Sequence, residues 1–126
     1  MRHNYLIFLM MRLVRSVLLL FIVCFKTTGY SQNQNKIWYF GDHAGLDFNS
    51  GTPVALTNSA LFTNEGCSSI SDNNGNLLFY TDGITVWNKF HAVMPNGTGL
   101  LGNPSTTQSA VIVPMPGSAT QYYIYN

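Results

Sequence analysis

The chain has 126 residues and a formal net charge of +1, long enough for one small domain. Its charge is unevenly placed. Arg2, Arg12, Arg15 and Lys26 lie in the first 26 residues with no acid among them, whereas after residue 31 Asp42, Asp47, Glu65, Asp72 and Asp82 face only Lys36 and Lys89, leaving about −3. That balance excludes a basic face able to neutralise phosphates, and with it a nucleic-acid binder.

The first segment reads as an export signal. Arg12 and Arg15 precede an apolar run from Ser16 to Phe25. The run is too short to cross a hydrocarbon core of roughly 30 Å comfortably as a permanent helix. Basic residues, a short apolar core and then small residues form the pattern of a secretory signal peptide. Gly29 and Ser31 place small side chains at −3 and −1 of a cut before Gln32. The expected division is therefore a signal peptide over 1–31 and a mature part over 32–126, handed to the Sec export machinery, with no stable membrane span after cleavage. Two other readings compete. Tyr5–Met11 can join the second run as an uncleaved anchor, at the expense of burying Arg12 and Arg15. Cys24 can be a lipoprotein cysteine, although bulky Ile22 and Val23 precede it. Met10 or Met11 also offers a later start with a shorter basic region.

Cleavage removes Cys24 and leaves Cys67 without an intramolecular partner, so the mature part is no disulfide-stapled mini-domain. Cys67 reads first as a small buried hydrophobe in a strand; no local motif places His43 or His91 beside it as a base.

The mature part predicts strands throughout. Lys36–Phe40 is aromatic and branched, a first strand that Gly41 ends. Asp42–Pro53, with two glycines, reads as a loop. Val54–Leu56 is a short strand, and Asn58–Gly66 is loop. Cys67–Ser71, the turn Asp72–Asn76 and Leu77–Thr81 form the clearest hairpin, because Asn74-Gly75 tolerates the positive φ of a tight turn. Asp82-Gly83 turns the chain into a strand over Ile84–Trp87. Asn88–Asn103, with Pro95-Asn96-Gly97, reads mostly as turns around a short strand at Ala92–Met94. A second hairpin pairs Gln108–Val113 with Gln121–Tyr125 across Pro114–Ser118.

The hairpins echo one another. Ser68-Ser69-Ile70 corresponds to Ser109-Ala110-Val111 at a separation of 41, and Leu78-Phe79-Tyr80 to Tyr123-Ile124-Tyr125 at 45. Periods of about 40–50 residues with several short strands are a propeller-blade signature; ordinary hairpins of a β-sandwich produce the same echo. The expected fold class is all-β: a partial β-propeller-like array of antiparallel hairpins, about two blades, after an N-terminal signal helix. Two blades close no ring and leave an exposed strand edge, so further chain or oligomerisation is expected, with missing chain favoured.

Several ordered segments carry a resemblance: Trp38–Phe48, Thr63–Asp72, Gly75–Gly83, Val86–Lys89, Met94–Gly102 and Thr107–Ala110. Together they resemble the opening of secreted Bacteroidetes proteins that end in a gliding-motility-associated, type B sorting domain. The similarity spans 37–125. It implies a propeller-like N-terminal region, export by the type IX secretion system and retention at the cell surface. The sorting domain is absent from this sequence.

No catalytic, cofactor-binding or metal-binding residue is assigned, no cofactor is expected, and the chain is expected not to be an enzyme. Asp42-His43 and His91 lack metal-ligand spacing. Asp72-x-Asn74-x-Asn76 partly imitates a calcium loop but lacks its glycine and its distal glutamate. Glu65, Asp72 and Asp82 are the carboxylates a hydrolase would use. The aromatics Trp38, Tyr39, Phe40, Phe79, Tyr80, Trp87, Tyr122, Tyr123 and Tyr125 divide between core and surface; those outside form a stacking surface for a protein or polysaccharide ligand. The expected function is a non-catalytic surface scaffold or adhesion module, with a carbohydrate-active hydrolase as the alternative.

Overall fold

The computed structural model describes residues 10–16, 33–103 and 105–126. Residues 10–16 are helical and exposed; the remainder of the expected signal segment lies outside the described residues. Among the described residues no helix is long and apolar enough to cross a membrane.

Nine strands account for the described part of the unit Gln32–Asn126, and they fall into three antiparallel sheets. The first sheet holds β1 (Ile37–Phe40), β2 (Ala44–Asp47) and β3 (Val54–Leu56). The second holds β4 (Ser68–Ser71), β5 (Leu77–Thr81), β6 (Thr85–Asn88) and β7 (Val93–Thr98). The third is the hairpin of β8 (Val111–Pro114) and β9 (Tyr122–Tyr125). In every sheet the strands follow one another in chain order.

The leading strands meet. β1 lies beside β4, and β4 beside β8. Hydroxyl groups tie these neighbours together. Ser69 Oγ donates to Ile37 O at 2.8 Å and accepts from Tyr39 N at 3.4 Å. Ser109 Oγ donates to Gly66 O, and Gly66 N donates to Thr106 O at 3.1 Å. Small hydroxyl residues suit these positions because they satisfy a neighbour's carbonyl without filling the space between adjacent backbones.

At β5 the second sheet is covered on both faces. On one side Leu77 and Tyr80 join Tyr39 and Leu61, with Ile37, Leu56, Cys67 and Trp87 around them. On the other, Ile70, Phe79 and Val86 meet Ile112, Tyr122 and Ile124. Successive residues of a strand point to opposite faces, so Phe79 serves one layer and Tyr80 the other, while the bulge between the pairs Ile70↔Phe79 and Ser71↔Leu77 interrupts the alternation and returns Leu77 to the Tyr80 side. This explains the unbroken apolar run at Leu77–Tyr80, where a half-solvated strand would alternate.

Two segments read as loop are strands. β2 crosses the expected loop Asp42–Pro53. Its Gly45 pairs with Tyr39, and a Cβ there would sit 2.6 Å from both Tyr39 Cδ1 and Trp38 O. The glycine is a seat for the aromatic ring rather than a breaker. β7 runs through Pro95-Asn96-Gly97, expected to be turn. It is an edge strand, and between the pairs Trp87↔Val93 and Thr85↔Thr98 four of its residues oppose one of β6. Edges and bulges tolerate proline, and Asn96 takes the positive φ of 57°. The other strands keep their predicted places within a few residues, and the two-unit reading becomes three sheets because β1–β3 form a sheet of their own.

Candidate functional site

The most connected polar group lies at the rim of the layer between the first and second sheets. Asn88 builds the turn after β6: its Oδ1 accepts from Phe90 N at 2.8 Å and Ala92 N at 3.2 Å. This turn holds His91 at φ 63°, a left-handed conformation uncommon for side chains with a Cβ. The imidazole is thereby set edge-on to Tyr39, with centroids 5.6 Å apart and planes at 88°. Tyr39 OH donates to Asn58 Oδ1 at 3.0 Å, and Asn58 Nδ2 lies 2.9 Å from His91 Nε2. The amide nitrogen is a donor, so Nε2 accepts from it, and Nδ1 on the other side of the ring lies 3.1 Å from Tyr80 Oη. Tyr80 Oη also accepts from Ala60 N at 2.8 Å, and its ring stacks on Trp87 at 5.5 Å and 17°. Burial pushes both phenols above the ordinary tyrosine range; Tyr80 adds to the shift of Tyr39, and Asn58 opposes it. Protonated phenols, an amide and an imidazole can donate, accept and stack.

The residues singled out in the sequence are scattered. His43 stands apart from His91's network: its Nδ1–H donates to Ser59 O at 2.6 Å, and its Nε2 lies 3.5 Å from Asp42 at the surface. Cys67 Sγ donates to Tyr39 O at 3.3 Å, and burial pushes the thiol up, which favours the unreactive form. Asp72 Oδ1 accepts from Asn74 N at 2.8 Å and Asn76 N at 2.9 Å, while Asn76 Nδ2 donates to its Oδ2 at 3.0 Å. These bonds, led by the Asn76 side chain, hold its carboxyl below the usual range. The loop thus closes on itself, with its oxygens spent on its own N–H groups. Asp82 does the same for Ile84 N at 2.9 Å and Thr85 N at 2.7 Å. Among the described residues no three His, Cys, Asp or Glu side chains are grouped to hold a metal ion.

Two hollows remain. One, of about 480 Å³, is lined by Asp47, Asp72, Lys89, Ile37 and Leu77 among others. It pairs Asp72 with Asp47, a residue no sequence motif singles out; Glu65 and Asp82 do not line it. Asp47 Oδ1 is itself engaged by Asn49 N at 2.8 Å. The other, of about 420 Å³, is an apolar groove between β6–β7 and β9.

No protein-family model matches the chain, and neither a curated relative nor a solved structure similar to it is found.

Apolar side chains are also exposed at the two ends of the sheet stack. Beyond the first sheet, Trp38 and Phe40 point away from the core, and Trp38 packs on Phe48 with centroids 5.0 Å apart. Beyond the third, Val111 pairs with Tyr125 and Val113 with Tyr123, all four exposed. The sequence placed aromatics outside by number alone; which ones became clear only when the strand faces were fixed.

Proposed function

We propose that this chain is a non-catalytic scaffold or adhesion module of a bacterial cell surface, built as consecutive units of a β-propeller-like array. The observation that carries the reading is the pair of aromatic and aliphatic faces at the ends of the sheet stack, Trp38 and Phe40 at one and Val111, Val113, Tyr123 and Tyr125 at the other. Exposed contiguous apolar surface of this kind is used for contact with other molecules. Three sheets that each run outward in chain order from neighbouring leading strands support the propeller-like arrangement. The resemblance over 37–125 supports export through the type IX pathway and an association with gliding motility. The hydrolase alternative is the weaker reading, because Asp72 and Asp82 are tied into their own turns.

The test is protease shaving of intact cells that express the chain with a tag at residue 126. Loss of the tag without lysis, and an N-terminus at Gln32 in the exported form, are the expected results. A tag protected inside intact cells sinks the surface reading.

A further inference from the structure

The hollow of about 480 Å³ between the first and second sheets brings opposite charges, side-chain amides and an exposed aromatic ring together. Its polar walls stand on the inner strand β2 and on the turns beside it. Asp47 ends β2 and Asn49 follows it, Asp72 and Asn76 close the β4–β5 hairpin, and Lys89 and Phe90 lie between β6 and β7. Leu77 and Ile37 add apolar lining from the packed layer. The volume lies within the range of about 300–1,000 Å³ usual for small-molecule sites.

These groups are held in place, yet they keep unused bonding capacity. Asn49 N donates to Asp47 Oδ1 at 2.8 Å, and Asn49 Nδ2 donates to Gly75 O at 3.0 Å. Gly75 carries no side chain to cover that amide; a Cβ there would collide with it. Asn76 Nδ2 donates to Asp72 Oδ2 at 3.0 Å, so Asp72 acts as a brace for Asn76. Each amide thus spends its nitrogen on the protein. Asp47 Oδ2, Asn49 Oδ1 and Asn76 Oδ1 accept no hydrogen bond among the described residues. Lys89 makes no ion pair among them either; its Nζ lies over the Phe90 ring, 5.2 Å from the centroid. Phe90 N is fixed by Asn88 Oδ1 at 2.8 Å, and the residue remains 75% exposed, which leaves the second face of the ring open.

We propose that this hollow binds one pyranose residue of a neutral glycan. Three acceptors and one ammonium donor need a ligand that both donates and accepts, and a hydroxyl group does both. The ring hydroxyls donate to Asp47, Asn49 and Asn76 and accept from Lys89, while a C–H face of the sugar packs on Phe90. An anionic ligand meets Lys89 but is repelled by Asp47 and Asp72. A purely cationic one meets the carboxylates but is repelled by Lys89, and it leaves the amides no better served than water does. A neutral polyol incurs neither repulsion. Because the amides and carboxylates are already oriented, little ordering is required on binding.

The site lies apart from the exposed apolar faces, and it rests on the adhesion reading only for the glycan's being one met outside the cell. The test is saturation-transfer difference NMR of the full chain with the methyl glycosides of glucose, galactose and mannose. Saturable transfer to at least one is expected, with Kd of about 1–10 mM for a ligand of this size. Phe90→Ala removes the stacking face, and Lys89→Met removes the donor while keeping a long side chain; each weakens binding about tenfold. Phe62→Ala, at another exposed aromatic, leaves it unchanged. Circular dichroism establishes that the variants are folded. The site is overturned if none of the three glycosides shows saturable transfer, or if both folded hollow variants bind as well as the unaltered chain. It is also overturned if inorganic sulfate or calcium, added alone, displaces the sugar at lower concentration than a second glycoside does, since the hollow then serves an ion. Absence of binding by a chain that is exposed on cells removes this site alone; a chain retained inside cells that still binds the glycoside removes the surface reading alone.

Discussion

The two layers that flank the second sheet are built differently. The layer against the first sheet is aromatic and hydrogen-bonded: Tyr39, Asn58, Tyr80 and His91 exchange bonds while Trp87 stacks on Tyr80. The layer against the third sheet is held by apolar contact among Ile70, Phe79, Val86, Ile112, Tyr122 and Ile124. A network of directed bonds admits few arrangements, so the first layer fixes how its sheets meet. Apolar contact is indifferent to direction and can be extended by any strand of suitable shape. The contrast assigns rigidity to the first layer and adaptability to the second.

Truncating each layer at its centre gives the largest effect. Tyr80 is fully buried and Phe79 nearly so. Tyr80→Ala and Phe79→Ala are each expected to cost about 3–5 kcal/mol, as large aromatic truncations do. A unit of this size has total stability of about 5–15 kcal/mol, so urea melts should show either variant close to unfolding. If only Tyr80→Ala does so, the third sheet is not packed on the second as described.

Gly45→Ala comes next and acts on the first layer alone. The added methyl meets the Tyr39 ring and a backbone carbonyl. Overpacking of this kind costs about 1–3 kcal/mol, and chemical denaturation is the measurement. No change would show that Tyr39 does not lie over the glycine.

That glycine also marks where sequence reasoning stops. The hairpin at Asp72–Asn76 was legible because its signal is local: Asn74-Gly75 between two apolar runs, with Asp72 capping the turn. β2 was illegible because Gly45 serves a ring six positions away, and in sequence a seat for a ring looks the same as a loop. The start of β7 was legible as the expected strand at Ala92–Met94, but its continuation was not, since Pro95-Asn96-Gly97 has turn composition and only its edge position makes it a strand. The His91 cluster draws on positions 39, 58, 80 and 91 from different elements, and no spacing rule links them.

Removing one hydroxyl separates bonding from packing. Tyr80→Phe keeps the ring and its stacking on Trp87 but leaves Ala60 N and His91 Nδ1 without their partner. An unsatisfied buried donor costs about 1–3 kcal/mol. The expected result is a smaller loss than Tyr80→Ala, with faster amide exchange at Ala60. Unchanged exchange would mean that solvent already reaches that amide and that the network does little to hold the first layer.

The smallest effect follows from acidity and distinguishes the layers without mutation. Burial raises Tyr39 and Tyr80 above their ordinary value of 10.0, and both lie in the first layer. Below about pH 10 both folded and unfolded chains keep these protons, and stability is insensitive to them. As pH rises further the unfolded chain ionises first, because its phenols are ordinary, and stability falls through the interval up to the raised values. Urea midpoints measured from pH 8 to 11.5 should therefore hold and then decline above about pH 10. Tyr39→Phe and Tyr80→Phe, with one such phenol removed, should each flatten that decline. Tyr123→Phe, on the exposed face of the third sheet, should leave it intact. A decline that is equally steep in all three variants would locate the alkaline sensitivity outside the hydrogen-bonded layer and undo the contrast between the two.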